Sequence, residues 1–524
     1  MAGHDFPQVE CSQTVGFLVA IIYFIGQIQT AGRQPSPVNC FHWPDPAILI
    51  HFPGMRTEAI HRIHLVGICG TGMASLAAML QNSGYEVAGS DEGIYPPMSD
   101  FLAENRIPVY QGYSAGNLEP APDLVVVGNA LSRGNPEIEH VLDHRIPFLS
   151  FPETLKTFFL RDKKPVVVTG THGKTTTTSM ICWGMHAAGL RPNFLIGGIA
   201  ENFRSSYGME GGAHFVVEGD EYDSAFFDKG PKFLHYLPYL AVIGNVEFDH
   251  ADIYADLAAI KLQFRRLVNL IPRSGYLAIG ADSPGAVEVG ANSLCRRETF
   301  GIQTECDWTA RRIEFVDDRL CFDILYLKRL FGRVHLRVYG NYSVRNALAT
   351  VATLNHIGVS EKEIREGLET FSGVRRRLQL RCEIDGIRIY EDFAHHPTAV
   401  RETLQSLREM FRPKRLWAIY EPRSATSRRS IFQQEMAEAL GLADCIAIPA
   451  LFKPEKVPEN ERLSEIRLVE DLRGMGRAAW NLGTVDGIIE KVCQEARSGD
   501  LIVILSNGGF GGIYERLPAA LEKR

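Results

Sequence analysis

The sequence predicts an α/β protein of three domains, and two observations carry that expectation. Short runs rich in Val, Ile and Leu recur at residues 63–66, 124–127, 166–169, 215–217, 240–243, 416–419 and 501–505, all but 416–419 followed within two residues by Gly or Asn, and each then by a helical stretch. That alternation of strand and helix is the mark of parallel sheets. The chain also runs to 524 residues, more than one hydrophobic core usually supports. Pro152 and the charged run 161–164 separate two strand–helix blocks. A second boundary falls near Gly373, where a helix pattern ends and three arginines begin. The expected domains are therefore 55–160, 161–373 and 374–524, the outer two Rossmann-like and the central one built around a phosphate loop.

Composition narrows the function. At 45% hydrophobic and 22% charged residues the chain is globular, and its net charge of −7 offers no broad attraction to nucleic acid or anionic membrane. Small-molecule partners are expected. Ten cysteines are scattered from Cys11 to Cys493 without one Cys-x-x-Cys pair, which argues against a disulfide framework or a zinc ribbon and for a reducing cytoplasm. The apolar run 15–28 follows Asp5 and Glu10 with no Lys or Arg before it, a poor signal peptide and short for a membrane span. Residues 1–54 are expected to be an extra upstream segment, with Met55 as the working start.

In open α/β sheets ligands bind beyond the carboxyl ends of the strands, so the residues after each run are the candidates. The first run leads into Gly67, Gly70, Thr71, Gly72 and Met73, then a helix pattern and a second strand ending at Asp91; Asn129 follows the next run. This is how a dinucleotide fold begins, with an acid placed for a ribose or base. The glycine spacing departs from G-x-G-x-x-G at Cys69 or Ser75, depending on the starting glycine, so a nucleotide diphosphate fits better than a nicotinamide cofactor.

The third run leads into Gly170-Thr171-His172-Gly173-Lys174-Thr175-Thr176. A strand, a glycine loop and a helix in that order aim backbone N–H groups and a helix N-terminus at phosphate. Lys174 is expected on the β- and γ-phosphates of ATP and Thr175 on Mg²⁺. Acidic runs follow the next two strands, 218–223 and 245–250, and from them Glu218 and His250 join Thr175 as expected metal ligands. Arg375, Arg376 and Arg377 at the second joint are suited to clamping phosphate bidentately. Beyond them lie Asp392, His395, His396 and Pro397, then Glu421-Pro422-Arg423-Ser424, then the glycine-rich loop 506–512, all strand-end loops.

Together these motifs resemble the Mur ligase family, whose members build the peptide stem of peptidoglycan through ATP-driven amide bonds. The order of Gly-Thr-His-Gly-Lys-Thr, Glu-x-Asp-Glu-x-Asp, Asn-x-x-x-Asp-His, Arg-Arg and His-His-Pro carries the likeness from about residue 56 to 524. The resemblance implies a first domain for the UDP-sugar, a second for ATP and Mg²⁺ and a third for the incoming amine. It further implies that Lys174, Glu218, His250 and His395 are catalytic, that Asn346 and Arg377 join the phosphate loop around ATP, and that Arg423, Ser424 and His396 meet the peptide. Gly-Ile-Cys-Gly-Thr in the first turn, residues 95–99, 223–229, 421–424 and 506–512 resemble the recycling branch of the family. That branch joins UDP-N-acetylmuramate to the murein tripeptide L-alanyl-γ-D-glutamyl-meso-diaminopimelate.

Three positions depart from the family pattern: residues 340–346 stand where His-Asn-x-x-Asn meets adenine, Glu391 replaces an Asp, and Lys261 is offset from a lysine that some branches carbamoylate. The same-family alternative takes free L-alanine. A dehydrogenase would leave the phosphate loop unexplained, and a non-catalytic nucleotide-binding regulator would leave the acids without a task.

Overall fold

The computed structural model describes residues 59–524. The expectation about residues 1–54 lies outside them. All seven runs are strands, and they fall into three separate sheets.

The first sheet has five parallel strands in the order Val109–Gln111, Glu86–Asp91, Arg62–Val66, Leu124–Val127, Phe148–Ser150. Chain order therefore reverses between Arg62–Val66 and Leu124–Val127, and a switch point of this kind opens a crevice at the strand ends. The glycine turn Gly67–Gly70 lies there and feeds helix Thr71–Asn82, whose residues from Met73 to Leu80 are all buried.

The second sheet has ten strands. Its parallel middle sets strand Lys164–Thr169 between His214–Glu218 and Leu240–Ile243, all three ending in the same direction. The phosphate loop and both acidic runs consequently leave the sheet side by side. Helix Lys174–Ala187 packs on helices Asn341–Ile357 and Glu361–Glu369. Ile181 and Leu354 are fully buried there, each contributing on the order of 1.5–3 kcal/mol by leaving water. One edge is extended by the antiparallel strands Trp308–Val316, Arg319–Tyr326 and Arg329–Leu336.

The third sheet runs Gln379–Ile384, Ile387–Asp392, Asp500–Leu505, Arg415–Tyr420, Cys445–Pro449, Ala478–Gly483, parallel except at its first strand. Strands Ile387–Asp392, Arg415–Tyr420 and Asp500–Leu505 are neighbours, so the three loops singled out in the third block start from adjacent strand ends. Among the described residues no helix is long and apolar enough to cross a membrane.

Candidate active site

The phosphate loop owes its shape to two glycines. Gly170 sits at φ 132° with the backbone of Asn245 3.0 Å from where a Cβ would stand, and Gly173 at φ 81° would place a Cβ 2.6 Å from Asn346 Oδ1. Both conformations and both spaces exclude a side chain. The helix that follows has no side-chain cap at Gly173, which leaves its first N–H groups for an anion. Asn346 reaches over the loop from helix Asn341–Ile357, with its Nδ2 buried and unpartnered. A cavity of about 230 Å³ opens at the first turn of that helix, lined by Thr176, Tyr342, Ser343 and Arg377 among others.

Charges around the loop pair with one another. Lys174 Nζ lies 2.6 Å from Glu221 Oε2 and donates to the carbonyl of Gly170 at 2.8 Å. Burial opposes its charge, but Glu221 and Asp220 outweigh burial and hold the ammonium above its usual range. Thr175 Oγ1 donates to Glu218 Oε1 at 3.0 Å and accepts from Arg377 at 3.0 Å. Glu218 also takes the N–H of Gly197. Thus Thr175 and Glu218 meet, whereas His250 groups with Asp220 and Glu221, their ligand atoms within 4.8 Å of one another. Glu221 Oε1 is buried without a hydrogen-bond partner. An oxygen-rich pocket with an orphan carboxylate oxygen fits a hard cation such as Mg²⁺.

His250 has φ 55°, a left-handed conformation that costs a non-glycine residue about 1–2 kcal/mol. Its N–H is held by Asp249 Oδ1 at 2.7 Å, and its ring packs 4.2 Å from that of Tyr222. Burial raises the Asp249 carboxyl, yet His250, His395 and His396 reverse the effect and hold it well below the usual range.

From the third sheet, the arginine triplet divides. Arg375 pairs with Glu201 at 3.1 Å, Arg376 with Glu391 and the carbonyls of Ser506 and Gly508, and only Arg377 reaches the phosphate loop. His395 binds the Phe393 carbonyl through Nδ1 at 3.0 Å, and its burial lowers its basicity. His396 is turned to the phosphate loop, where Nε2 donates to the Phe248 carbonyl at 3.1 Å and the ring lies 4.6 Å from that of His172. Burial brings its pKa down to about 4. Glu247, beside both imidazoles, sits near 2; burial opposes this, and His172, Thr398 and His396 outweigh it. Arg423 stands apart from this group, its guanidinium 4.0 Å from the Phe452 ring centroid, 3.5 Å from Glu421 and against Gly508. Ser424 Oγ is bonded to Ser427 at 2.9 Å.

In the first sheet, Gly70, Thr71 and Gly72 are exposed, as is Asn129 across the switch point. Met73 turns into the core. Asp91 accepts the N–H of Cys69 at 2.9 Å and that of Gly93 at 2.9 Å, so this carboxylate braces the turn that starts at Gly67.

Comparison with known proteins agrees with this arrangement. Family models described as "Mur ligase family, catalytic domain", "Mur ligase middle domain" and "Mur ligase, glutamate ligase domain" match residues 62–163, 168–354 and 376–508. The chain belongs to the Mur ligase family. It is an ATP-dependent, ADP-forming ligase. The UDP-N-acetylmuramate–L-alanyl-gamma-D-glutamyl-meso-2,6-diaminoheptandioate ligase of Escherichia coli is 40% identical over 464 residues, 88% of this chain and 99% of that protein. The UDP-N-acetylmuramate–L-alanine ligase of Acetivibrio thermocellus is 32% identical, over 86% of this chain and 94% of its own. The crystal structure of a murein peptide ligase from Psychrobacter arcticus superposes with TM-score 0.67 at 36% identity, covering 88% of this chain and 99% of that one.

Glu221, the partner of Lys174, carries no distinguishing mark in the sequence. The run 218–223 offers two glutamates and two aspartates, and periodicity ends with the strand at Glu218, so spacing gave no sign of which carboxylate turns inward. In the sequence His172 belongs to the phosphate loop alone; its ring faces Glu247 and His396, residues 75 and 224 positions away, which no local pattern connects.

Proposed function

We propose that this Mur ligase joins UDP-N-acetylmuramate to the tripeptide L-alanyl-γ-D-glutamyl-meso-diaminopimelate, with ATP and Mg²⁺, in peptidoglycan recycling. The 40% identity to the Escherichia coli ligase of that name, spread over 99% of its length, supports this reading most directly. The turn Gly67–Gly72, exposed from Gly70 to Gly72 and braced by Asp91, receives the UDP-sugar together with Asn129, while Met73 packs beneath it. The phosphate loop Gly170–Thr176 receives ATP, with Asn346 and the cavity at the first turn of its helix for the nucleoside and Arg377 for the phosphates. Arg423 and Ser424 face the peptide, and His396 serves the same side of the reaction from beside the phosphate loop.

In the reaction the lactyl carboxylate of UDP-N-acetylmuramate attacks the γ-phosphorus, ADP leaves, and an acyl phosphate forms. The peptide amine then attacks the acyl carbon, expels phosphate and loses a proton to give the amide. Two anions meet in the first step, so placement of positive charge dominates the barrier. Lys174 moves from Glu221 to the β- and γ-phosphoryl oxygens. Arg377 does the same from Thr175. Thr175, Glu218 and His250 would hold Mg²⁺, with Glu221 as a further oxygen donor once Lys174 has left it; the ion supplies charge neutralisation on the phosphoryl oxygens. His395 orients the acceptor side.

The test is ADP release with UDP-N-acetylmuramate, offering tripeptide or free L-alanine as the amine. Turnover with tripeptide at least about 100-fold faster in kcat/KM is expected, a difference of about 2.7 kcal/mol. The opposite ratio assigns the chain to the L-alanine branch.

A further inference from the structure

We propose that His172, Glu247 and His396 form a second cation site, suited to a zinc-class divalent ion, that ties the phosphate loop to the third sheet. The three residues come from three strand-end loops and offer two imidazole nitrogens and a carboxylate oxygen within 4.8 Å of one another. His172 Nε2 lies 3.4 Å and His396 Nδ1 3.8 Å from Glu247 Oε2. Ligands about 2.0–2.1 Å from a tetrahedral zinc stand roughly 3.3–3.5 Å apart, so a small closing movement completes three corners of the tetrahedron. Two imidazoles and a carboxylate are a borderline donor set that favours zinc over Mg²⁺, unlike the oxygen-rich group at Asp220 and Glu221.

The surroundings are those of a prepared ligand set. His396 gives its Nε2 proton to the Phe248 carbonyl at 3.1 Å, which leaves the Nδ1 lone pair facing Glu247. Outer hydrogen bonds of this kind fix the tautomer and direction of metal-binding histidines. Thr398 Oγ1 fixes the Glu247 carboxylate, donating at 2.7 Å to the same Oε2 that faces the imidazoles, where a second lone pair remains for an ion. His172 Nε2 is buried and makes no well-formed hydrogen bond, its one acidic neighbour being Glu247 Oε2 at 3.4 Å, and a metal between the two would relieve that state. The competing contact is weak: the N–H of Thr398 reaches His396 Nδ1 at 3.3 Å. A cavity of about 170 Å³ bordered by Glu247, His396 and Phe432 gives an ion and its water a way in. The phosphate loop carries His172 and the third block carries His396, so a bound ion restrains movement between them.

The full-length protein, stripped with a chelator and dialysed, is titrated with Zn²⁺ alone by calorimetry and with Co²⁺ as an optical stand-in. One equivalent of zinc is expected, with intense near-tetrahedral cobalt bands that zinc abolishes and a zinc-dependent rise in Tm. Glu247→Gln, which keeps the side-chain volume, should weaken zinc at least tenfold and remove the cobalt bands while Glu221→Gln leaves both unchanged. His396→Gln is the second variant, and metal-free unfolding of each confirms that it is folded. No zinc binding in the parent protein overturns the proposal, as does binding that survives Glu247→Gln and His396→Gln or that is lost with Glu221→Gln.

Discussion

The glycine turn of the first sheet and the phosphate loop of the second begin alike, with a parallel strand, a glycine-rich loop and a helix, yet they differ in what occupies their polar groups. At the end of the first turn Gly70, Thr71 and Gly72 face solvent, and the one carboxylate, Asp91, is spent on the turn's own backbone. Around Gly170–Thr176 the two side chains expected to meet phosphate and metal already have protein partners: Lys174 has Glu221, and Thr175 has Glu218 and Arg377. The first loop is an open cradle. The second is a site whose ligand must displace internal bonds, so part of the binding free energy of ATP goes into exchanging partners. Binding energy used in that way assembles the catalytic arrangement as the nucleotide arrives. Substitutions in the second loop should therefore act on kcat, and those in the first on KM.

The largest effect is expected at Lys174. Lys174→Ala removes the cation and leaves Glu221 buried and unpaired; kcat should fall at least about 10³-fold, roughly 4 kcal/mol of transition-state stabilisation. Steady-state ADP release measures it, with circular dichroism to show the fold intact. Retention of more than a tenth of the activity would remove Lys174 from the mechanism. Arg377→Ala comes next, at about 10²-fold in kcat, because one guanidinium contact to the phosphates is lost while Lys174 remains. An increase confined to KM for ATP would show that Arg377 only binds, and would blur the contrast between the two loops.

These contrasts were only partly legible in the sequence. The seven strands and the phosphate loop were, because a buried parallel strand is a continuous apolar run and the loop that follows carries its chemistry within a few residues. The antiparallel edge strands of the second sheet were not singled out. Their turns place Asp317, Asp318, Leu327 and Lys328 at positive φ without glycine, and Leu-Lys is no turn signal. Arg375, Arg376 and Arg377 read as one cluster, yet after a strand-free turn each side chain points to a different element. The pairing of Glu221 with Lys174, and the meeting of His172 with His396, exist only once separate strands are ordered side by side in a sheet.

The joint between the second and third blocks also predicts acid sensitivity at one buried imidazole. Burial lowers His396 to about 4 from 6.5, so the folded state binds fewer protons than the unfolded chain between those values. Its contribution to stability is complete above pH 6.5 and is lost as pH falls toward 4. For this one group about 2 kcal/mol should disappear between pH 8 and pH 5. Denaturant unfolding of chelator-treated protein at the two pH values should show the loss, and His396→Asn should reduce it. An equal loss in the variant would place the acid-sensitive group elsewhere.

The smallest effect is expected in the open cradle, and it tests the comparison from the other side. Asp91→Ala frees the N–H groups of Cys69 and Gly93, which are 2.9 Å from the carboxylate and lie near enough to the surface for water to replace it. The turn should loosen without collapsing, since the N–H groups of Gly67 and Ile68 still bond the Ser90 carbonyl at 2.8 and 3.1 Å. Losing a charge-assisted hydrogen bond under these conditions costs about 1–2 kcal/mol. KM for UDP-N-acetylmuramate should therefore rise about 5- to 30-fold with kcat unchanged, the signature of binding lost equally from ground and transition states. A fall in kcat instead would mean that the first sheet helps to aim the lactyl carboxylate at the γ-phosphorus, and that an exposed loop can carry as much of the chemistry as a packed one.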